Sequence, residues 1–142
     1  MFRKLILASA LVLGAAGTAR AAAACSVNLE GNDAMRYSAA NIDVPKSCAT
    51  FTINFKHAGK MAKNVMGHNG GVAKTADMHG IDADGIKAGA AADYVKAGDA
   101  RVIAHSKVIG GGETTSLSVP VAKLVAAGAP LSFFCSFPGH SA

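Results

Sequence analysis

Two residues near the end of the chain, Cys135 and His140, are the strongest candidates for chemistry. An apolar, strand-like run precedes the cysteine, and Pro138-Gly139 predicts a turn that returns the imidazole toward the sulfur. A third candidate, His68, lies far upstream. One thiolate with two imidazoles suits a borderline-soft metal ion, either zinc or copper. The alternative for Cys135 and His140 alone is a buried free cysteine beside a loop histidine.

Short strands are predicted to position these residues. Apolar and polar residues alternate, with β-branched residues among them, at 51–55, 102–105, 117–119 and 131–135. Turn signals separate the segments at Gly59, Gly70-Gly71, Asp84-Gly85 and 110–112. Residues 75–94 are rich in Ala, Asp and Gly without strand alternation, which predicts an inserted flap with a short helix. The whole pattern predicts an all-β fold, either a sandwich or a Greek-key barrel.

The first 21 residues have the features of a secretory signal peptide. Arg3 and Lys4 precede a short apolar run at 5–13, and Ala19-Arg20-Ala21 forms an A-x-A cleavage site. Cleavage after Ala23 is the alternative. The apolar run is too short to anchor the chain stably across a bilayer. We therefore predict a signal peptide at 1–21, one domain at 22–142, export, and no membrane span.

Removal of this leader changes the charge balance. Arg3, Lys4 and Arg20 leave with it, so the formal charge falls from +5 to +2, with 11 basic and 9 acidic residues remaining. No basic run survives, and the sequence contains no Trp. Nucleic-acid binding is therefore not expected.

Three cysteines in an exported chain raise the question of their pairing. Cys25 and Cys48 both lie in the first part of the mature chain, whereas Cys135 lies alone near the end. The economical solution is a disulfide between Cys25 and Cys48, which leaves Cys135 as a metal thiolate. A second interpretation is that Ala22-Ala23-Ala24-Cys25 is a weak lipobox and that Cys25 is a lipid-anchored N-terminus.

Several motifs, in order along the mature chain, resemble those of azurins, which are periplasmic blue-copper electron-transfer proteins with the cupredoxin fold. The resemblance rests on Cys25-Ser26-Val27, Gly31-Asn32-Asp33, Lys46-Ser47-Cys48, Lys63-Asn64-Val65-Met66-Gly67-His68-Asn69, Ala76-Asp77-Met78, Arg101-Val102-Ile103-Ala104-His105 and Phe134-Cys135-Ser136-Phe137-Pro138-Gly139-His140. It implies a cupredoxin-like Greek-key β-sandwich or barrel with a helical flap, located in the periplasm.

The resemblance also implies a metal site. His68, Cys135 and His140 match the three strong equatorial copper ligands of azurins, and Gly67 matches the residue whose backbone carbonyl approaches copper weakly from one axial side. One copper ion would alternate between Cu(I) and Cu(II). The protein would then be an electron carrier rather than an enzyme.

An apolar docking patch around the edge of His140 is a further implication. The matching residues are Met35, Met61, Met66, Phe137 and Gly139, with Val65 as a candidate that ordinary core packing would equally explain. The partners implied are transient redox proteins, such as c-type cytochromes and copper or haem reductases. The chain itself is expected to be a monomer.

The chain departs from the azurin pattern in two places. Azurins carry an axial methionine four positions after the residue matching His140, and a last strand beside the strand that delivers the cysteine. The sequence ends at Ala142, so we expect both to be missing. It is then either a fragment of a longer chain or a shortened, non-functional azurin. In addition, Gly70-Gly71 stands where azurins have bulky apolar residues, which predicts a cavity or a local collapse.

The remaining histidines and two rival functions complete the expectations. His57 and His105 match azurin histidines that do not bind copper, and His79 has no assigned role. The rival functions are a copper enzyme or zinc-dependent hydrolase, and copper storage or delivery. No acidic residue beside either ligand motif is placed to act as a base, and the five methionines are too scattered for a storage protein.

Overall fold

The computed structural model describes residues 22–141, so the predicted signal peptide at 1–21 lies outside the described residues. Six strands carry the fold: β1 (Ser26–Gly31), β2 (Thr50–His57), β3 (Gly71–Lys74), β4 (Val102–His105), β5 (Thr114–Pro120) and β6 (Leu131–Phe134). Three α-helices lie between them: α1 (Lys63–Met66), α2 (Met78–Ala88) and α3 (Val121–Ala127). None of the helices described is long and apolar enough to cross a membrane.

The first sheet has the strand order β1-β2-β5. β1 runs parallel to β2, and β5 is antiparallel to β2. Phe51, Ile53 and Phe55 of β2 are buried, and the intervening residues are more exposed, because successive side chains on a strand point to opposite faces. The sheet therefore has one apolar face, and that face lies in the core.

The second sheet has the order β4-β3-β6, and both pairings are antiparallel. It places Gly71 of β3 opposite Phe134 of β6, immediately before Cys135. The prediction that Gly70-Gly71 forms a turn is therefore wrong at Gly71, which begins a buried strand. The predicted cavity is also absent at these glycines. A Cβ on Gly70 would lie 2.8 Å from the ring of Phe133, and one on Gly71 would lie 3.0 Å from the ring of Phe134.

The main core lies between the two sheets. Its buried members come largely from the first sheet and include Leu29, Phe51, Ile53, Phe55, Leu117 and Val119, while Val72 comes from the second. Tyr37 and Phe133 pack against this cluster, with their rings edge to face at 5.1 Å between centroids. The predicted all-β sandwich is confirmed.

The predicted flap is present and contains α2. Its buried Ile81 packs with Ala73 of β3 and Phe134 of β6, which fastens the flap to the second sheet. The predicted turn at Asp84-Gly85 is wrong, because both residues lie within α2. Gly85 is needed there since a Cβ would collide with the carbonyl oxygen of Tyr94.

A disulfide joins Cys25 to Cys48 across 23 positions, and Cys135 is a buried free thiol. This is the pairing expected from the cysteine positions. It ties the start of β1 to the segment that leads into β2.

In the described part of the chain, β6 lies at the edge of its sheet. Residues 39–44 run nearby without regular secondary structure and form no backbone hydrogen bond among residues 22–141. Both segments line a cleft of about 810 Å³, whose other walls include Leu29, Ile53 and Val72. The outer edge of β6 and the irregular segment 39–44 therefore border one opening into the core.

Candidate metal centre

Cys135 and His140 are placed by the end of β6 and the turn that follows it. The ladder with β3 extends to Phe134, so the direction of the next side chain is set by the sheet, and Cys135 points into the interior. Gly139 adopts a positive φ of 83°, and the His140 N–H donates to the Phe137 carbonyl at 3.0 Å. This tight turn brings His140 Nδ1 to 3.5 Å from Cys135 Sγ.

His68 approaches from the segment before β3. It is buried, and it is held by a backbone bridge to Ile109, with N···O distances of 2.9 Å and 2.8 Å. Its Nε2–H donates to the Asn32 carbonyl oxygen at 2.9 Å, because a carbonyl can only accept. The other nitrogen, Nδ1, is buried without a hydrogen-bond partner in the described structure. A neutral imidazole with a free lone pair on Nδ1 is the state that a metal ligand requires.

The ligand atoms of His68, Cys135 and His140 all lie within 4.8 Å of one another. The rings of His68 and His140 are 4.8 Å apart between centroids. Two nitrogens and one sulfur around a common centre form a donor set that fits copper or zinc and not magnesium or calcium. The unpartnered Nδ1 of His68 indicates that the set is shaped for an ion rather than closed by internal hydrogen bonds.

Asn69 is a buried polar residue that orients this centre, although no sequence pattern predicts a role for it. Its Nδ2 donates to the Asp93 carbonyl and to Ser136 Oγ, each at 2.8 Å. Its Oδ1 accepts from the Ser136 N–H at 2.9 Å, and its own N–H points at Cys135 Sγ at 3.4 Å. One side chain thus joins Ser136, the residue after the thiol, to Asp93 near the end of the flap. Asn69 follows His68 directly, which is the only signal that sequence offered.

Burial shifts the pKa of every candidate ligand in the direction that disfavours its charged form. It lowers the pKa of His68, and it lowers that of His140 to about 4, with the nearby His68 and His57 contributing. It raises the pKa of the Cys135 thiol to about 11, against the opposing effect of the Asn69 N–H. In the metal-free protein the imidazoles are therefore neutral and the thiol is protonated at pH 7. A bound cation reverses the preference of the thiol by attracting the thiolate.

The other histidines are engaged elsewhere or lie at the surface. His57 is fully buried, its Nε2–H donates to the Met66 carbonyl at 2.7 Å, and its Nδ1 accepts from the Gly59 N–H at 3.0 Å. Both nitrogens are thus used, so His57 supports the His68 ring, 4.5 Å away, rather than offering a ligand. His105 and His79 are exposed and lie outside the three-residue cluster.

Gly67 is buried directly before His68. A Cβ there would collide with the Lys63 carbonyl and come within 2.8 Å of Val108 and Phe137. Only glycine lets the chain pass this close to the centre.

The predicted docking patch is only partly at the surface. Met35 and Met61 are 53% and 39% exposed, Gly139 is exposed, and Met66 is half-buried. Phe137 is a correction, because it is only 7% exposed and packs with Val108 and Cys135. Its ring lies 4.7 Å from that of His140, which supports the imidazole from inside. Val65 is 54% exposed, so core packing does not describe it.

Comparisons with known proteins agree with this geometry. The profile of the family described as copper binding proteins, plastocyanin/azurin family, matches residues 23–142. An azurin from Bordetella pertussis is 56% identical over 121 residues, which are 85% of this chain and 80% of that protein. Azurin-1 from Alcaligenes xylosoxydans xylosoxydans is 58% identical over 120 residues, covering 84% of this chain and 92% of that protein.

A solved structure of an azurin from the obligate methylotroph Methylomonas sp. strain J superposes with a TM-score of 0.79. It is 45% identical, and the match covers 84% of this chain and 92% of that one. Together with the family profile, these similarities support the azurin resemblance and the copper cofactor. The chain belongs to the plastocyanin/azurin family of copper-binding proteins.

Proposed function

We propose that this protein is a periplasmic type 1 copper protein that carries single electrons between redox partners, with His68, Cys135 and His140 as equatorial ligands and the Gly67 carbonyl as a weak axial ligand. The observation that carries the proposal is the buried set of two imidazoles and one thiol whose ligand atoms lie within 4.8 Å of one another. Copper bound there would supply a one-electron couple between Cu(I) and Cu(II).

The residues of the chain contribute rigidity. His68 is held through Nε2 by Asn32, and Cys135 lies between the β6 strand and the Asn69 network. His140 stacks on Phe137 at the end of a tight turn. Because each donor is oriented without the ion, little has to rearrange when the charge of the centre changes by one. No substrate is transformed, and the site requires no general base.

His140 also gives the electron a route to the surface. It is the only one of the three candidate ligands that is not fully buried, and the exposed Gly139 precedes it. Met35, Met61 and Val65 supply exposed apolar surface. A small apolar contact of this kind suits brief association with c-type cytochromes or with copper or haem reductases, and such a carrier works as a monomer.

The test is copper loading of the reduced-thiol, disulfide-intact protein, followed by visible absorption. We expect one copper per chain and an intense blue band from charge transfer between the Cys135 thiolate and Cu(II). Cys135→Ala should abolish the band, and the matched change His105→Ala, at an exposed imidazole outside the cluster, should not. A blue band that survives Cys135→Ala would refute the ligand assignment. Uptake of several copper ions without colour would favour storage, and hydrolytic activity of a zinc-loaded form would favour the enzyme alternative.

Export is a separate part of the proposal, because it rests on the sequence of residues 1–21. N-terminal sequencing of protein recovered from the periplasm should begin at Ala22, or at Ala24 for the alternative site. Recovery of the full-length chain only from the cytoplasm would contradict export. A lipid on Cys25 would be compatible with export, but it would contradict cleavage after Ala21 or Ala23 and the disulfide between Cys25 and Cys48.

A further inference from the structure

Two basic side chains, Arg36 and Lys60, border the exposed apolar surface beside the candidate metal centre. Each is the direct neighbour of an exposed methionine, in Met35-Arg36 and in Lys60-Met61. Both basic residues are exposed, and among residues 22–141 neither makes an ion pair within 4.0 Å or a side-chain hydrogen bond. Their charges are therefore free to act on a partner.

The two loops that carry these pairs are fastened together. The carboxylate of Asp33 accepts from the Lys60 N–H at 2.8 Å and from the Met61 N–H at 3.3 Å. The first loop is also joined to the metal centre, because Asn32 accepts from the His68 ring at 2.9 Å. Met35, Met61 and their basic neighbours therefore lie on the same end of the molecule as the candidate ligands.

The acidic groups at this end are used within the fold. Asp33 is only one-third exposed, and its two amide donors hold the pKa of the carboxyl below its usual value. Glu113 accepts from the Gly110 N–H at 2.7 Å and pairs with Lys63 at 3.4 Å. Of the charged side chains named at this end of the molecule, the two that remain unpaired, Arg36 and Lys60, are therefore basic. A protein that docks here would contact the exposed methionines and the basic side chains beside them.

We propose that Arg36 and Lys60 select a redox partner whose docking surface has an apolar centre bordered by carboxylates. The inference deepens the proposed function and rests on it. Opposite charges at the rim raise the encounter rate and orient the approach, while the apolar contact excludes water from the path between the two redox centres. Because the rim charges are exposed, their contribution must fall steeply as salt is added.

The first test needs no copper. Isotope-labelled protein is titrated with hexacyanochromate(III), a paramagnetic, redox-inert anion of charge −3, and the broadening of amide signals is mapped. We expect the strongest broadening at residues 34–36 and 60–61. The double variant R36Q/K60Q should lose at least about half of it, whereas K74Q/K123Q, with the same charge change at exposed lysines elsewhere, should keep it.

The second test measures the rate at which the reduced copper protein gives one electron to hexacyanoferrate(III), whose iron becomes Fe(II). At about 10 mM ionic strength R36Q/K60Q should react about 3- to 10-fold more slowly than the parent, and the rates should converge above about 0.5 M. A cationic oxidant, tris(phenanthroline)cobalt(III), should not be slowed. K74Q/K123Q should stay within about twofold of the parent.

The results separate the two proposals. Anion broadening spread over the whole surface, or equal rate losses in both double variants, would overturn the partner inference and leave the copper site intact. A parent chain that binds no copper and shows no blue band would instead overturn the proposed function, and the partner inference would fall with it.

Discussion

Removal of the Asn69 side chain should destabilise the protein far more than its size suggests. Asn69→Ala breaks three hydrogen bonds of 2.8 to 2.9 Å, two to Ser136 and one to the Asp93 carbonyl. The Ser136 N–H and hydroxyl are buried with it and have no other partner in the described structure. Each buried group left unsatisfied costs about 1–3 kcal/mol, and the space left by the amide adds to this. We expect a loss of about 3–5 kcal/mol, a large part of the 5–15 kcal/mol typical of a domain.

The assay is urea unfolding of the copper-free protein at neutral pH with the disulfide intact, followed by far-ultraviolet circular dichroism. Asn54→Ala is the matched control, because Asn54 Nδ2 donates to Asn28 Oδ1 at 3.1 Å on the exposed face of the first sheet. That exposed bond should be worth less than about 1 kcal/mol. In the copper-loaded protein, Asn69→Ala should also speed the loss of copper to a chelator by about 10- to 100-fold, as expected for a residue that orients a ligand.

Equal losses in the free energy of unfolding for Asn69→Ala and Asn54→Ala would refute the predicted role of the buried network. A destabilised Asn69→Ala variant that releases copper at the parent rate would also refute it, since the network would then support the fold without orienting Cys135. Unequal slopes of the unfolding curves would show that the variant exposes a different surface on unfolding, and the comparison would then use chelator rates.

Three further outcomes are expected. Burial holds the pKa of His140 at about 4 against an ordinary value of 6.5, so between these pH values the unfolded copper-free chain binds more protons than the folded one. The free energy of unfolding should therefore fall as the pH drops from about 6.5 to 4, and His140→Gln should flatten that slope in urea titrations. Gly70→Ala should lower the unfolding free energy by about 1–3 kcal/mol, because its Cβ would press on the Phe133 ring, and a more stable variant would show unused space there. Cys25→Ala with Cys48→Ala should lower the thermal midpoint through a loss of about 3 kcal/mol, and an unchanged midpoint in calorimetry would contradict it.

Sequence patterns were reliable where side chains alternate. β4 coincides with a predicted alternating segment, β2, β5 and β6 overlap the other three, and the flap contains its helix. β3 was missed because Gly71 contributes no side chain to an alternating pattern, and a glycine pair by itself predicts a turn. The Phe134 ring that packs against Gly71 is known only from the structure. The helix α3 was missed since Val121–Ala127 is a short apolar run whose first turn carries no side-chain cap.

In the candidate site, too, some residues could be predicted from the sequence and others could not. The thiol and the two imidazoles were identified because their residue types at that spacing suit one kind of ion, and the structure brings all three together. Asn69 could not be identified, because an asparagine beside a ligand is as easily solvated as buried. Phe137 was placed at the surface by resemblance, yet it is the packing partner of Cys135 and His140. Burial depends on contacts across the chain, and no local pattern encodes it.

The geometry of the metal centre follows from the pairing of β3 with β6. His68 lies three residues before Gly71, and Cys135 lies one residue after its partner Phe134. A one-residue slip in this register would turn Cys135 to the opposite face of the sheet, so the site forms only when the pairing is correct. The converse also holds by linkage, because an ion bound to both His68 and Cys135 stabilises the state in which the two strands are paired. Within the described residues β6 is an edge strand, and a cleft lies along its open side. The pairing with β3 is therefore the only ladder that β6 forms in this part of the chain. Copper should therefore protect the amides of β3 and β6 from hydrogen exchange more than those of β1 and β5, and equal protection of the two sheets would show that the site and the ladder are not coupled.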